Sequence, residues 1–305
     1  MDNAVEAGKH KRAFTAIVNP IAGGGRADAL WEPLSDQLRH AGFRVETVHS
    51  RSAEHAIDAA FDAAAHSVVV AVGGDGLVRD VATGVVRAEG TMAIVPAGRG
   101  NDLVRVLHIP TAPDELVAYL TSAPERRIDV LEVGDRFVPG NVYAGIDGRA
   151  TRIINANRWL HPRLLYRVAP FVAAIGWRPF LLTSEMALDG APPRSQRAHM
   201  VIVANSGRYG NGLDMVPTAS LDDGYFDVFT IKGVSVLRLA RISAQAKTGA
   251  HMTRPDVSVS RGTDVTLSAD RDLPLFADGD RIGEFPCRIR LRPLALRTIA
   301  PTLPT

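Results

Sequence analysis

The run VVVAV at Val68–Val72 is the most restrictive feature of this chain. It is apolar at every position and ends in Gly73-Gly74-Asp75-Gly76. A strand without alternation must be covered on both faces, which is the situation of an inner strand in a parallel sheet flanked by helices. The surrounding sequence repeats the same grammar. Phe14–Val18 is a short apolar run. Arg26–His40 carries Leu30, Leu34 and Leu38 at helical spacing, Phe43–Val48 alternates as a strand, and Ala53–Ala65 is an alanine-rich helix. Leu77–Ala88 is predicted helical, Met92–Val95 a second inner strand, and Asp102–Leu107 a further helix. Strands separated by helices imply right-handed βαβ units.

Beyond about Arg127 the texture changes. Strand-like stretches follow one another directly at Arg127–Val133, Arg136–Gly145, Phe180–Leu188, Ala198–Asn205, Tyr225–Ile231, Val257–Val259, Asp264–Leu267, Leu273–Ala277 and Pro286–Leu291. Asp189-Gly190, Asp223-Gly224 and Asp278-Gly279 punctuate them as turns. Helical pieces interrupt near Arg149–Trp177 and Val234–Thr248. The expected fold is therefore an α/β domain with a parallel sheet over 13–128, followed by a β-rich, antiparallel sandwich or curled sheet over 129–295. The tail from about 296 to 305 is expected to pack back on the first domain.

The remaining bounds are brief. Cys287 is the only cysteine, which excludes an intrachain disulfide and any multi-cysteine metal site. A net charge of +2 gives no reason to expect nucleic acid, and the nine histidines show no HxxxH spacing for zinc. MDNAVEAGKHKR lacks the apolar segment of a signal peptide, and no run approaches the about 18 apolar residues that span a bilayer. The expected location is the cytoplasm, peripherally associated with the inner face of the membrane.

Three βα turns carry glycines: Asn19–Arg26 (NPIAGGGR), Gly73–Gly76 (GGDG) and Pro96–Asp102 (PAGRGND). In an open parallel sheet such turns gather beyond the carboxyl ends of the strands, where ligands bind and helix starts present N–H groups to phosphate. One glycine turn needs no ligand to explain it; three on one sheet edge argue for a phosphate site. Neither GxxxxGK[ST] nor an opening GxGxxG is present, so it is neither a P-loop nor a dinucleotide fold of the usual kind. Asp75 in the middle of such a cradle reads in two ways. A cation could bridge it to phosphate oxygens, or it could be an Asx-turn or helix-capping acid.

Taken together these segments resemble the diacylglycerol kinase catalytic-domain family, which includes diacylglycerol, sphingosine, ceramide and bacterial lipid kinases. VGGDGLVRDVATGV resembles its GGDGT block, IVNPIAGGGRA its first nucleotide loop, and IVPAGRGNDLVRVL its PxGTxNDxAR block. NVYAGIDG, DMVPTASLDDGYFDV and FADGD resemble later family segments, in family order, and RPLALRTIAP resembles the family tail. The resemblance implies an ATP- and Mg²⁺-dependent transfer of the γ-phosphoryl group to a lipid hydroxyl, most simply that of diacylglycerol. By motif, Asn19, Pro20, Gly23, Gly24, Gly73, Gly74, Gly76, Arg99 and Asn101 would line ATP, with Asp75 among the phosphates and metal. Asp280, where the family has the glutamate of DGE, would accept the proton, with Asp278 as its paired acid. Ser220, Asp223 and Tyr225 would fall on a cation site that props the β domain, with backbone oxygens contributing at Ser220 and Tyr225.

Three departures bear on these roles. Leu77 and Arg99 stand where the family has threonines, and Asp280 is one methylene shorter than glutamate, which leaves the base open between Asp280 and Asp278. Two other functions stay in view, a soluble NAD kinase-like enzyme and a catalytically weak nucleotide-binding regulator. Trp159–Leu182 is aromatic and arginine-flanked, and reads as a membrane-facing or lipid-lining stretch, as core packing, or as the face of a homodimer.

Overall fold

The computed structural model describes residues 12–157, 162–186, 192–210 and 213–302. Within them β1 (Ala13–Val18), α1 (Arg26–His40), β2 (Arg44–His49), α2 (Ala53–Ala64), β3 (Val68–Gly73), α3 (Asp75–Arg87) and β4 (Thr91–Pro96) build a parallel sheet in the order β2-β1-β3-β4. All six residues of β3 are buried, as a strand covered on both faces requires. Trp31, Leu34 and Leu38 of α1 and Val78, Val81 and Val85 of α3 are among the side chains of that core. The short α4 (Asp102–Val106) follows, then α5 (Pro113–Ser122). Helix α5 starts on a proline at its first position, a start signal that the sequence reading passed over.

The second half comprises β5 (Glu125–Val133), β6 (Arg136–Val138), β7 (Asn141–Gly145), α6 (Ile146–Ala156), α7 (Pro162–Ala174), β8 (Phe180–Met186), β9 (Arg194–Ala204), β10 (Phe226–Lys232), α8 (Val236–Gln245), β11 (Val257–Gly262), β12 (Asp264–Ala269), β13 (Pro274–Ala277), β14 (Asp280–Glu284) and β15 (Cys287–Ile299). Its strand pairs are antiparallel. Long β9 pairs β8 along its first half and β7 along its second, with β10 on its other side, so the sheet branches and curls. The single stretch expected at Arg136–Gly145 is two strands separated by Pro139-Gly140, and β14 is additional. Asp189-Gly190 and Trp159 lie outside the described residues.

Strand β15 joins the halves. Its first part pairs with β12, its last residues pair in parallel with β4 through Arg297 and Thr298, and β5 runs antiparallel along its whole length. The Tyr119 hydroxyl of α5 accepts the Ile94 N–H (3.1 Å) and donates to the Ile299 carbonyl (3.0 Å), pinning the strand's end to β4. A register shift between Arg292 and Leu296 leaves a bulge in which Leu294 has φ +49°. Buried Asp129 caps it: one carboxylate oxygen accepts the Leu294 N–H at 2.7 Å, and the other accepts the Gly224 N–H at 2.8 Å.

Helices α2 and α3 meet at Gly84. A Cβ there would lie 2.3 Å from the Ile57 carbonyl oxygen and 2.8 Å from the Ala60 Cβ. Helix propensity alone favours alanine over glycine by about 1 kcal/mol. Overpacking reverses the sign, so Gly84→Ala is expected to destabilise the chain by about 1–3 kcal/mol in urea unfolding. A stabilised variant would show that the two helices separate freely.

Candidate active site between the two halves

The three glycine turns touch one another. A Cβ at Gly23 (φ +60°) would fall 2.4 Å from the Ala97 carbonyl oxygen, and one at Gly98 would fall 2.3 Å from the Gly74 Cα. These glycines let three loops nest against each other, a requirement set before any ligand arrives. Asn19 shapes the first loop, its side-chain oxygen accepting the Ile21 N–H at 3.1 Å. Leu77 is buried over Gly73, where a Cβ would meet it at 2.6 Å. The leucine at this departure from the family pattern thus fills space against the turn. Arg99 is exposed.

Asp75 reaches across to the third loop. Its two carboxylate oxygens accept the backbone N–H groups of Asn101 (2.7 Å) and Asp102 (2.9 Å), where α4 starts. Burial, reinforced by the charge of Asp102, pushes its pKa up to about 6. Asn101 stands in the left-handed region at φ +53°, and its amide donates to the Gly98 carbonyl at 3.2 Å. Asp75 is therefore a clamp between two of the turns. The first intrahelical bond of α3 runs from Val78 N–H to the Gly74 carbonyl. The N–H groups of Asp75, Gly76 and Leu77 precede that ladder.

From the second half of the chain the DGD turn descends on this helix start. Asp278 and Gly279 have φ +51° and +88° and join β13 to β14, so the turn is a two-residue hairpin with both central residues left-handed. Asp280 lies against Gly76, where a Cβ would be 2.9 Å from its Oδ2. The last glycine of GGDG thus leaves room for a carboxylate. From the other side, Asn155 of α6 donates to the Gly279 carbonyl at 2.7 Å. Asp278 is pushed well above the usual carboxylate range, first by burial and then, against the pull of Arg79, by Asp75, Asp102 and Asp280.

Arg79 is the residue that sequence reading missed. Its side chain is only 5% exposed, and every arm is used. Nε and Nη2 donate to Asp80 Oδ1 (3.0 and 2.8 Å), Nη1 to the Ala277 carbonyl (3.0 Å), and Nη2 also to Asp280 Oδ2 (3.2 Å). Burial opposes its charge, yet Asp80, Asp278 and Asp280 outweigh that and hold its pKa above the ordinary value. A further link runs from Asp80 to Arg136 (3.8 Å) and on to Glu54 (2.9 Å). The only clue in the sequence was an arginine placed one turn into a helix whose next residues are mostly apolar.

The DDG turn lies elsewhere, at the junction of β5, β10 and β15. Asp223 Oδ1 accepts the Tyr225 N–H at 3.1 Å, and its Oδ2 pairs with Arg261 Nη2 at 3.1 Å. Arg261 also reaches Asp227 Oδ1 (3.2 Å) and the Thr218 carbonyl (3.2 Å), with its guanidinium over the Tyr225 ring. The Ser220 hydroxyl donates to Asp222, which pairs with Arg126. A guanidinium thus stands among the acids expected to hold a cation, and both Asp223 oxygens are engaged. The Asp223 side chain is thus tied both to its own turn and to Arg261. Among the described residues no three His, Cys, Asp or Glu side chains converge as a metal cage.

Comparison with known proteins agrees with this architecture. Residues 13–133 match the model of the diacylglycerol kinase catalytic domain, and residues 140–300 match that of the YegS C-terminal NAD kinase beta sandwich-like domain. A diacylglycerol kinase of Mycobacterium tuberculosis is 27% identical over 296 residues, covering 94% of each chain. That of Bacillus subtilis is 26% identical, covering 88% of this chain and 90% of its own. A crystal structure of a diacylglycerol kinase from Bacillus anthracis superposes with a TM-score of 0.71 at 20% identity, covering 95% and 97% of the two chains. The two domains, on one continuous sheet with an acid turn over a GGDG helix, are those of a kinase. The chain belongs to the diacylglycerol kinase catalytic-domain family and is a lipid kinase of that family.

If Arg261 serves in place of a cation, the urea midpoint of the unaltered chain should be the same in EDTA and in millimolar Mg²⁺. Arg261→Ala leaves Asp227, whose side chain is 2% exposed, without its charged partner. It is expected to cost about 2 kcal/mol, reduced from the fully buried case because the arginine is half exposed. A midpoint that falls in EDTA would show that a cation is bound here after all.

Proposed function

We propose that this chain transfers the γ-phosphoryl group of ATP to the free hydroxyl of diacylglycerol, giving phosphatidic acid. The observation that carries this reading is the seating of Asp280 against Gly76 at the start of α3, one carboxylate oxygen fixed by Arg79. Phosphoryl transfer asks for positioning, charge neutralisation and a proton acceptor, and little covalent chemistry from the protein. The nested turns at Asn19, Pro20, Gly23, Gly24, Gly73, Gly74, Gly76 and Asn101 would receive the nucleotide, with the exposed Arg99 beside the phosphates. The N–H groups at the start of α3, ahead of its hydrogen-bond ladder, favour anionic oxygens.

Between the two acids, Asp280 is the better acceptor. Its side chain is half exposed, within reach of an incoming hydroxyl, whereas Asp278 is partly buried and held towards its neutral form. Arg79 keeps the short Asp280 side chain in one place, which offsets the methylene it lacks relative to glutamate. Mg²⁺ arriving with ATP would neutralise phosphate charge. Asp75 fits as its partner through water, since both of its oxygens already accept backbone N–H groups. The division at residues 128–129, with the nucleotide on the first side and the lipid on the second, belongs to the same proposal. So does peripheral contact with the inner face of a membrane, where such a substrate resides.

The test is transfer of label from γ-labelled ATP, with Mg²⁺, to diacylglycerol in mixed micelles. Ceramide, sphingosine, monoacylglycerol and NAD run beside it. Label is expected in phosphatidic acid, and Asp280→Asn should lower turnover by about 10²- to 10⁴-fold. Label in NAD alone, or ATP binding without transfer to any lipid, would overturn the proposal.

A further inference from the structure

Helix α3 carries Gly76, Asp80, Thr83 and Arg87 at intervals of four, three and four, the spacing of one helical face. Each of them meets the second half of the chain. Gly76 lies against Asp280. Asp80 faces Arg136 of β6, whose Nη1 is 3.8 Å from its Oδ1. The buried Thr83 hydroxyl accepts the Phe137 N–H at 3.1 Å, and Arg87 donates to the Asp135 carbonyl at 2.6 Å. Three of these four contacts thus fall on the consecutive residues Asp135, Arg136 and Phe137, where the chain turns from β5 into β6. Past β6 it runs to Gly140, where a Cβ would be 3.4 Å from Asp278 Oδ1. The β5–β6 hairpin is a brace between α3 and the acid turn.

Within this seam two carboxylates draw on one guanidinium. Arg79 Nη2 donates to Asp80 Oδ1 at 2.8 Å and to Asp280 Oδ2 at 3.2 Å. The Asp80 side chain is 8% exposed and that of Asp280 50%. A charge pair attracts far more strongly in the dry position than in the wet one, so Asp80 alone would hold the arginine to itself. A second cation alters that outcome. Arg136 is steadied by its Nη2 bond to Glu54 Oε1 at 2.9 Å. Its charge is felt at Asp80, where burial pushes the carboxyl up and Arg79 and Arg136 pull it down. Asp278 is held towards its neutral form. The seam therefore sets two arginines against Asp80 and Asp280, and Arg79 keeps a donor for Asp280.

We infer that Arg136 is a positioning residue for phosphoryl transfer: by supplying the second positive charge at Asp80, it keeps Arg79 on Asp280. The inference deepens the transfer reading above and rests on it. Arg136 acts through two side chains, Asp80 and Arg79, on the carboxylate of a third. A plain tie between the halves is the competing explanation, and Arg87 separates the two. It makes the same kind of bridge to the same hairpin, but about two turns further along α3, and its partner is Asp135. A variant there weakens the brace and leaves the charges around Arg79 as they are.

The test compares Arg136→Gln, Arg136→Lys and Arg87→Gln in the full chain. It reads transfer of label to diacylglycerol in mixed micelles, and amide hydrogen exchange from Ala277 to Arg281. Arg136→Gln should lower kcat about tenfold, the worth of one charge-assisted hydrogen bond, with KM for ATP within about twofold of the parent. Arg136→Lys keeps a charge at Asp80 and should stay within about threefold of the parent kcat. Exchange in the acid turn should rise about tenfold in Arg136→Gln. In Arg87→Gln both exchange there and kcat should match the parent. Arg79→Met with Arg136→Gln should be no slower than Arg79→Met alone. Equal losses in Arg87→Gln and Arg136→Gln, or losses that multiply in the double variant, would reduce Arg136 to a structural tie and overturn the inference. So would an Arg136→Lys slowed about tenfold, a result that stands even where Arg136→Gln does not fold. Exchange that follows Arg136 in a chain that labels no lipid would uphold the positioning and remove the transfer reading beneath it.

Discussion

A buried arginine ties the two halves of this molecule together at the candidate site. Arg79 projects from the second turn of α3, and one guanidinium spans Asp80 on its own helix and the Ala277 carbonyl and Asp280 of the second half. Each of these donors has a fixed direction, because the guanidinium is planar and cannot rotate one arm without the others. The charge is tolerable in so dry a place only because carboxylates surround it. Removing the arginine would strand Asp80, whose side chain is 8% exposed, and release the acid turn together. The geometry of the site is thus a consequence of one ion-pair network as much as of the strands.

The glycine turns acquire a different meaning beside that network. Gly23 and Gly98 are set by the packing of loop on loop, Gly76 by the carboxylate of Asp280, and Gly100, where a Cβ would lie 2.7 Å from Asp75 Oδ2, by the clamp on α4. Asp75 is a strut between turns. A nucleotide entering this edge would meet a surface whose shape is already determined by backbone contacts, so little ordering would be left to binding. The Asp129 and Arg261 contacts do the corresponding job at the far end. They fasten the bulge of β15 and the DDG turn into one junction.

Much of the first sheet was legible because its periodicities are pure. Arg26–His40 and Val68–Val72 lie almost residue for residue on α1 and β3. Helix α5 escaped because its apolar spacing is weak and its signal is a proline. Strand β14 escaped because Asp280–Glu284 is polar and largely exposed, so no alternation shows. The full length of β15 was hidden by Pro293 and the bulge after Arg292, which read as the end of a strand. Within the site, the motif acids were visible by resemblance. Arg79 and Arg261 were not: Arg79 stands within the GGDG block, but its partners Ala277 and Asp280 lie 198 and 201 residues on, and Arg261 stands in no quoted motif. Ser220, Asp223 and Tyr225 were visible as a group, but the arginine that occupies their centre comes from β11, 38 residues after Asp223.

A double-mutant cycle on phosphoryl transfer probes the Arg79–Asp280 link most directly, using Arg79→Met, Asp280→Asn and the pair together. If the arginine acts by positioning that carboxylate, the double variant should be little slower than Asp280→Asn alone, with a coupling of at least about 1 kcal/mol. Losses that simply multiply would mean that Arg79 and Asp280 act independently, and that the contact between the two halves does not set the site.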